Sequence, residues 1–442
     1  MTQRKLIRFT LTGLILIASF VFTACGGAST EASGLPQIDP VGVLDTDLAG
    51  IGYVRYTTNT GWANGVEVDA NGRIVVIGRI TIGANTYMAL WRYNDDGTPD
   101  TTFGGGDGLV TTTGTAGGTL DEGTGVAIDE SGRILVAGYS LNAGTISQMI
   151  IWRFASDGTA DASFGTGGFV LYDRGFGADS WAESITVDKN GRIVVTGLAN
   201  NAADRDMALW RYTDAGVLDT TFGGTGVVFQ HNTAGGNGDD IGYDLAVNDS
   251  GGIAVVGDSE NATNSDLVIW RFTDAGALDT SFSGDGVVIF DRGSNDSGAD
   301  VTFDAQGRVL AVGQSDVGSV GDFVILRYTS AGNLDTTFSD DGVMVYSTGN
   351  RDTGRGIAMD SRQRPVAVGF SGLPSFNSDM MVTRLCDDGA FDTTFGTNGI
   401  VLFNLASQNG GNALAFDATG RIVVAGSAEE PGTANMMLWR YE

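Results

Sequence analysis

The sequence has 442 residues, of which 68 are glycine and six are proline, and its formal net charge is −28. Its first 25 residues contain three basic and no acidic residues, so the remainder has 22 basic residues against 53 acidic ones, a formal charge of −31. This negative field disfavours nucleic acid and anionic membrane surfaces as partners. The single histidine, His231, excludes a metal site of several histidines and is expected to lie exposed in a loop.

Residues 1–25 are predicted to be a targeting segment. The basic region Arg4–Arg8 precedes the apolar stretch Phe9–Ala24, which is shorter than the roughly 20 residues that a membrane-spanning helix needs and fits a secretory signal. The run Phe22–Cys25 resembles the cleavage site of bacterial lipoproteins, in which the cysteine is lipidated. The resemblance implies that acyl chains on Cys25 anchor the protein at the cell envelope, in the outer membrane or at the cell surface of a Gram-negative host. An ordinary signal peptide is the alternative.

The next segment, residues 26–44, is rich in Gly, Ser, Ala and Pro. This composition predicts a flexible tether. Cys386 is the only other cysteine. With Cys25 assigned to the lipid, Cys386 has no partner, so we predict a buried free thiol and no disulfide.

Residues 45–442 contain one sequence pattern seven times. Each copy includes a Trp-Arg-Tyr-like tripeptide and, eight residues from its arginine, an Asp-x-x-Phe-like turn; successive turn aspartates are 55 to 61 residues apart. Self-similarity at such a period indicates a repeat architecture. The arginines are Arg92, Arg153, Arg211, Arg271, Arg327, Arg384 and Arg440, and the aspartates are Asp45, Asp100, Asp161, Asp219, Asp279, Asp335 and Asp392.

Each copy has four short apolar runs between clusters of Gly, Asp and Asn, a pattern that predicts strands and turns. An Asp-x-x-Gly-Arg turn such as Asp129–Arg133 joins the two middle runs, and Gln363 replaces its glycine in one copy, where we expect a less favourable backbone conformation. One glycine follows the third run in every copy and indicates a positive φ or close backbone packing. These glycines are Gly78, Gly138, Gly197, Gly257, Gly313, Gly369 and Gly426.

The runs Gly125–Asp129, Gly132–Gly138 and Trp152–Phe154, with the turn Asp161–Phe164, resemble the delta-60 repeat family, and their order is similar to that of NHL-type propellers. The resemblance covers residues 45–442. It implies an all-β fold, a seven-bladed β-propeller of four-stranded antiparallel blades. In the NHL-like order the N-terminal outer strand, Gly52–Tyr56, joins the last blade beside Met436–Tyr441 and closes the ring, which removes two exposed strand edges.

The repeated arginines and aspartates predict a charge-assisted, bidentate pair in each blade. Arg440 has no aspartate eight residues later and Asp45 has no preceding arginine, so we predict an Arg440–Asp45 contact at the ring closure. Because the arginine is copied seven times, we interpret it as structural rather than catalytic.

The candidate binding residues lie in the loops that precede the first strand of each blade, around the mouth of the channel. A ring of acids there would hold Ca²⁺ or a basic partner, but no Asp-x-Asp-x-Asp-Gly loop occurs, which favours capped turns and no cofactor. Trp62 and Trp181, in the same loops, either bind a sugar or partner or pack against the next blade. The acidic candidates are Asp121, Glu122, Asp179, Asp239, Asp240, Asp296 and Asp352.

Together these features predict a monomeric, membrane-anchored, extracytoplasmic propeller that binds a protein, peptide or glycan and is not an enzyme. The alternative is a propeller hydrolase or lyase that acts on glycans or lactones with carboxylates or a bound metal; a purely structural envelope protein is a third interpretation. A blade with its own polar groups facing the channel would favour the enzyme, and the repeat pattern indicates no such blade.

Overall fold

The computed structural model describes Cys25 and residues 41–442, except 175–178, 202, 318–319, 373–376, 406 and 431. Residues 1–24 of the predicted targeting segment and 26–40 of the predicted tether lie outside the described residues. The described part of the chain consists of β-strands, turns and loops. None of the described residues belongs to a helix that is long and apolar enough to cross a membrane.

The described residues form 28 strands. In chain order these are β1 (Tyr53–Tyr56), β2 (Thr60–Val68), β3 (Ile74–Ile82), β4 (Asn85–Tyr93), β5 (Leu109–Thr112), β6 (Gly117–Ile128), β7 (Ile134–Asn142), β8 (Ser147–Phe154), β9 (Phe169–Tyr172), β10 (Ser180–Val187), β11 (Ile193–Asn200), β12 (Arg205–Tyr212), β13 (Val227–Gln230), β14 (Asp240–Val247), β15 (Ile253–Glu260), β16 (Ser265–Phe272), β17 (Val287–Phe290), β18 (Asp296–Phe303), β19 (Val309–Val317), β20 (Val320–Tyr328), β21 (Val343–Tyr346), β22 (Asp352–Met359), β23 (Pro365–Gly372), β24 (Ser378–Arg384), β25 (Ile400–Phe403), β26 (Gln408–Phe416), β27 (Ile422–Glu430) and β28 (Thr433–Tyr441).

Antiparallel pairing divides these strands into groups of four. Single parallel bridges, from Thr86 to Leu120 and from Ser378 to Gln408, also join group one to group two and group six to group seven. Groups one to six are the consecutive sets β2–β5, β6–β9, β10–β13, β14–β17, β18–β21 and β22–β25, and group seven joins β26, β27 and β28 to β1. In group seven Tyr53 lies opposite Trp439 and Tyr56 lies opposite Met436. The strand predicted at Gly52–Tyr56 therefore pairs with β28 and not with group one.

The groups pack face to face, so their middle strands are buried on both sides. One core cluster contains Val76 and Trp91 of group one together with Val423 and Leu438 of group seven. Residues from the two ends of the sequence thus share one apolar core. Burial of this apolar surface is the main favourable contribution to their association.

The Asp-x-x-Gly-Arg turns have the geometry that the sequence predicts. In the first copy the amide of Asp69 donates to the carbonyl of Arg73 at 2.9 Å, and Gly72 has a φ of +76°. Gln363 adopts a φ of +61° at the corresponding position, a conformation that is costly for residues other than glycine. This confirms the unfavourable geometry predicted for Gln363.

The glycine that follows the third run of each copy is required by close backbone packing. None of these seven glycines has a positive φ. A Cβ at Gly78 would overlap the carbonyl oxygen of Trp62 on the neighbouring strand, and the other six positions have the same relation to their neighbours. Of the two reasons predicted for this glycine, close backbone packing is therefore correct and a positive φ is not.

The N-terminal segment contacts the fold before β1 begins. The amide of Gly42 donates to the carbonyl of Glu442 at 2.6 Å, and Leu44 forms a bridge with Tyr441. The amide of Gly396, in group six, donates to the carbonyl of Val41 at 2.8 Å. The last residues of the predicted tether therefore belong to the folded structure.

Cys25 forms a disulfide bond with Cys386, 361 residues away in the sequence. The prediction that Cys386 has no partner was wrong. Sequence separation gave no indication of this bond, which places Cys25 beside group six, where Cys386 lies. A lipid thioether on Cys25 would use the same sulfur atom, so lipidation, which stays a prediction, and this disulfide exclude each other.

Candidate binding site at the channel mouth

Six of the seven repeated arginines are buried, all except Arg271, and they hold the groups together. Arg92 Nε donates to Asp100 Oδ2 at 2.8 Å, and most other copies match this geometry; Arg271 is the exception, with Nε 3.7 Å from Asp279 Oδ2. One direct hydrogen bond forms instead of the predicted bidentate pair. The reason is that a second guanidinium nitrogen, such as Arg92 Nη1, donates to a backbone carbonyl of the next group, here that of Ser156.

The structure brings Asp45 and Arg440 together. Arg440 Nε donates to Asp45 Oδ2 at 2.5 Å, and the two side chains are 1% and 2% exposed. Asp45 Oδ2 also accepts from Arg421 Nη1 at 3.1 Å, while Arg440 Nη1 donates to the carbonyl of Asp95 at 2.6 Å. These contacts connect the N-terminal segment, group seven and group one.

Four of the predicted mouth acids are fully buried and organise turns. Their carboxylates accept hydrogen bonds from the loops before their strands, for example from the amides of Asn232, Arg292 and Thr348 at 2.7 to 2.8 Å. Aspartate has a short side chain, so its carboxylate can accept hydrogen bonds from backbone N–H groups of the adjacent loop, and these bonds stabilise the turn. These four acids therefore cap turns, the interpretation that the sequence favoured, but they are buried rather than exposed at the mouth; they are Asp121, Asp240, Asp296 and Asp352.

Asp179 and Asp239 also bind the backbone. Asp179 Oδ1 accepts from the amide of Ser147 at 2.8 Å, and Asp239 Oδ1 accepts from the amide of Arg205 at 3.0 Å. Each of these bonds links one group to its neighbour.

The first strand of every group contains a β-bulge. The extra residue directly follows the residue that pairs with the tightly packed glycine of the second strand. Such a bulge redirects one side chain, here toward the cavity that the first strands enclose. The seven bulge residues line both a narrow channel of 310 Å³ and a wider mouth cavity of 630 Å³. They are Asn64, Thr124, Glu183, Tyr243, Ala299, Arg355 and Asn412.

Three of the bulge residues connect neighbouring groups. Asn412 Nδ2 donates to the carbonyl of Ala63, Asn64 Nδ2 to that of Gly123 and Thr124 Oγ1 to that of Ala182, each at 2.8 Å. Each acceptor directly precedes the bulge of the next group. These three bonds connect groups seven, one, two and three in succession, so Asn412, Asn64 and Thr124 have a structural role.

The other four bulge residues, in groups three to six, make none of these bonds among the described residues. Groups four to six are connected instead by the aspartate that directly follows the bulge residue. Asp244 Oδ2 accepts a hydrogen bond from the amide of Val301 at 3.1 Å, and Asp300 Oδ2 accepts one from the amide of Ile357 at 2.8 Å. Burial raises the pKa of both aspartates, and the charge of Asp244 raises that of Asp300 further. A shared proton between these two carboxyls follows.

Glu183 and Arg355 are the acidic and the basic member of these four bulge residues. Burial, and then the charge of Glu122, raises the pKa of Glu183 to about 8, so that it is largely protonated at neutral pH. Desolvation by the walls of the cavity, and then the charge of the nearby Arg351, lowers the pKa of Arg355. Arg351 and Arg355 are both exposed to the mouth cavity, and neither has an ion-pair partner within the described part of the chain.

Aromatic and amide side chains complete the mouth cavity. Tyr139 and Trp181 stack with ring centroids 5.2 Å apart, and Tyr139 donates its hydroxyl to Glu122 at 2.8 Å. Glu122 also accepts from Arg79 Nη1 at 2.7 Å. Burial, and then the charge of Asp258, raises the pKa of Tyr243.

Trp62 occupies the position in group one that Trp181 occupies in group three, but it does not line the mouth cavity. Its Nε1 donates to Glu429 at 3.2 Å, and the Arg79 guanidinium lies 4.4 Å from its ring centroid. Of the two predicted tryptophans, only Trp181 lines this cavity.

His231 is exposed, as predicted, and lies 3.1 Å from Asp206 Oδ1 and 3.5 Å from Asp204. These three residues have a spacing compatible with a metal ion. Asp206, however, already accepts from Arg174 at 2.6 Å. We assign no metal to this group.

The sequence of five segments matches a family described as "Domain of unknown function (DUF5122) beta-propeller". The matched segments are residues 70–103, 130–164, 189–222, 250–282 and 306–338. These matches and the antiparallel groups of four strands support a β-propeller family for the chain. No curated protein matches it in sequence.

Several solved structures resemble the fold. Sqt1 from Chaetomium thermophilum, bound to the N-terminus of the ribosomal protein L10, is 11% identical over 88% of this chain and 98% of its own, with a TM-score of 0.47. YCF48 bound to D1 peptide is 12% identical over 94% and 99%, with a TM-score of 0.44. An ulvan lyase is 11% identical over 88% and 95%, with a TM-score of 0.38. Structural similarity at these identities and TM-scores does not indicate a ligand or an activity.

Proposed function

We propose that the chain is a closed, seven-bladed β-propeller that acts as a binding module, with its ligand site in the mouth cavity. Each group of four strands is one blade. The pairing of β1 with β28, the bond from Asn412 to Ala63 and the core shared by groups one and seven support closure. One observation carries the binding site: the bulge residues of blades three to six face the cavity without serving the inter-blade contacts that occupy Asn64, Thr124 and Asn412.

The proposed module acts in the cell envelope as a monomer and needs no cofactor. The Cys25–Cys386 disulfide supports an exported chain, since such bonds persist in oxidising compartments. The predicted lipid anchor at Cys25 would leave Cys386 as a free thiol. The intact mass of the mature chain tells these two states apart.

Replacing Trp181 tests the binding site, and Trp62 offers a matched control. We expect Trp181→Ala to lose binding to oligosaccharides or peptides that the unaltered protein retains on an array, because the ring forms a wall of the mouth cavity. Trp62→Ala, at the equivalent position outside that cavity, should keep its binding. Equal binding by all three proteins, with unchanged melting temperatures, would remove the mouth cavity as the site.

A glycan hydrolase or lyase is the second candidate, and Glu183 is the observation that favours it. A carboxyl with a pKa near 8 beside the ion-paired Glu122 matches the division between acid and base in which two carboxyls take different roles. Against it, the raised pKa of Tyr243 disfavours a phenolate base. Release of new reducing or unsaturated ends from a bound glycan would favour the enzyme.

A further inference from the structure

The mouth cavity contains two arginines that no carboxylate neutralises within the described residues. Arg351 and Arg355 lie four residues apart, at the start of β22 and at its bulge. Most arginines of the chain form ion pairs, including Arg79, which pairs with the cavity-lining Glu122. Arg351 makes only a long hydrogen bond of 3.4 Å to Gln314 and lies 5.8 Å from the Phe370 ring centroid.

Two unpaired guanidinium groups in one cavity are a site for an anion. Guanidinium groups bind carboxylates through paired, charge-assisted hydrogen bonds. The nearby acids do not compensate them: Glu122 is paired with Arg79, and Glu183 is protonated at neutral pH for the reason given above. The mouth cavity is therefore locally positive within a chain of formal charge −28.

The rest of the lining favours a sugar over a peptide. Amide and hydroxyl groups line the cavity beside the arginines, among them Gln314, Thr353 and Asn412. Among the described lining residues Ala299 has the only aliphatic side chain, and two more positions are glycines. A peptide would need apolar pockets for its side chains, which this lining does not provide. Hydroxyl-rich rings match it, with Tyr139 and Trp181 available for contacts with the ring carbons.

The overall charge restricts the ligand further. A polyanionic glycan would be repelled by the field of the whole chain, whereas a single acidic group is attracted to the two arginines at short range. We infer that the mouth cavity binds an otherwise neutral oligosaccharide through one terminal uronic acid, with Arg351 and Arg355 holding its carboxylate. This inference rests on the proposed function.

Calorimetric titration with matched sugars tests the inference. The probes are short oligosaccharides that end in glucuronic, galacturonic or mannuronic acid, each paired with the oligosaccharide that carries the corresponding neutral hexose. We expect binding of at least one acidic member, with the neutral counterpart weaker by roughly 10- to 100-fold, the effect of a charge-assisted hydrogen bond. Arg355→Gln should remove this difference, and Arg351→Gln should reduce it.

Arg292→Gln is the control, since it changes the overall charge equally but lies outside the mouth cavity; it should retain full selectivity. Equal affinity for acidic and neutral members would overturn the inference while leaving the proposed function intact, provided that Trp181→Ala abolishes both. Binding of peptides with a free, but not an amidated, C-terminus in place of sugars would also overturn it. Absence of binding by any of these sugars would overturn the inference, whereas the proposed function fails only when no oligosaccharide or peptide on the array depends on Trp181.

Discussion

Arg440 and Asp45 form a buried ion pair between positions 395 residues apart. Such a pair contributes little when complete but is costly when one partner is removed, because the other charge remains buried. Asp45 has two arginine partners, Arg440 and Arg421. The pattern of arginines and aspartates was sufficient to predict which two residues meet. It could not show that one guanidinium also serves the next group, because that contact involves a backbone carbonyl.

Asp45→Ala should lower the free energy of unfolding by about 3–5 kcal/mol, since it leaves the buried guanidinium group of Arg440 and the partly buried one of Arg421 without their shared carboxylate. Urea denaturation measures this loss. Asp95→Asn is the control: Asp95 contacts the same arginines but its side chain is 57% exposed, so we expect a loss of at most about 1 kcal/mol. Equal losses for the two variants would contradict the importance of the buried pair.

At the scale of single elements, the bulge of each first strand determines where the candidate site lies. The sequence predicted the strands, the hairpin turns and the tightly packed glycine, because each depends on local and repeated residues. It did not identify the bulge residues. Glu183, Tyr243 and Arg355 differ from one another, so their column has no motif, and only strand register shows that they face the cavity. That variability was itself the available signal, since fold-determining columns are constant between copies.

The glycine beside the bulge is open to a direct test. Gly426→Ala should destabilise the protein by at least about 1–3 kcal/mol, because the added methyl group would overlap the carbonyl oxygen of Gly410. Gly410→Ala adds the same methyl group where the nearest atom, in Phe370, is 3.9 Å away. We expect it to change stability little. Thermal unfolding of the two variants decides the matter, and similar melting temperatures would contradict close packing.

Across the whole molecule, most of the negative charge does not change near neutral pH, but a few buried carboxyls titrate in this range. Burial raises the pKa of Glu67 to about 7, that of Asp258 to about 7 and that of Glu183 to about 8. With one histidine and two lysines in the sequence, few other groups change charge between pH 6 and pH 8. The sequence predicted the sevenfold architecture but not these shifts, which depend on the protein surrounding each carboxyl.

These shifts predict that stability falls as the pH rises. The folded state holds protons on these carboxyls that the unfolded state has already released, so the free energy of unfolding decreases from about pH 4.5, the unfolded value, up to about pH 8. Glu183→Gln should flatten the decrease between pH 6 and pH 8, as followed by melting temperature. The exposed Glu130→Gln should leave it unchanged. A wild-type profile without slope in this range would refute the assignment.

The pairing of β1 with β28 also sets the order of events during synthesis. Tyr53–Tyr56 emerges early, but its partner Thr433–Tyr441 follows 376 residues after it. At roughly 5–20 residues per second, about 20–75 s pass between the synthesis of the first strand and that of the strand beside it. The groups formed by earlier residues can pack together while β1 still lacks its partner. The pairing of β1 with β28 is then the last step. A protein assembled in this way reaches its finished shape only after translation has passed its last strand.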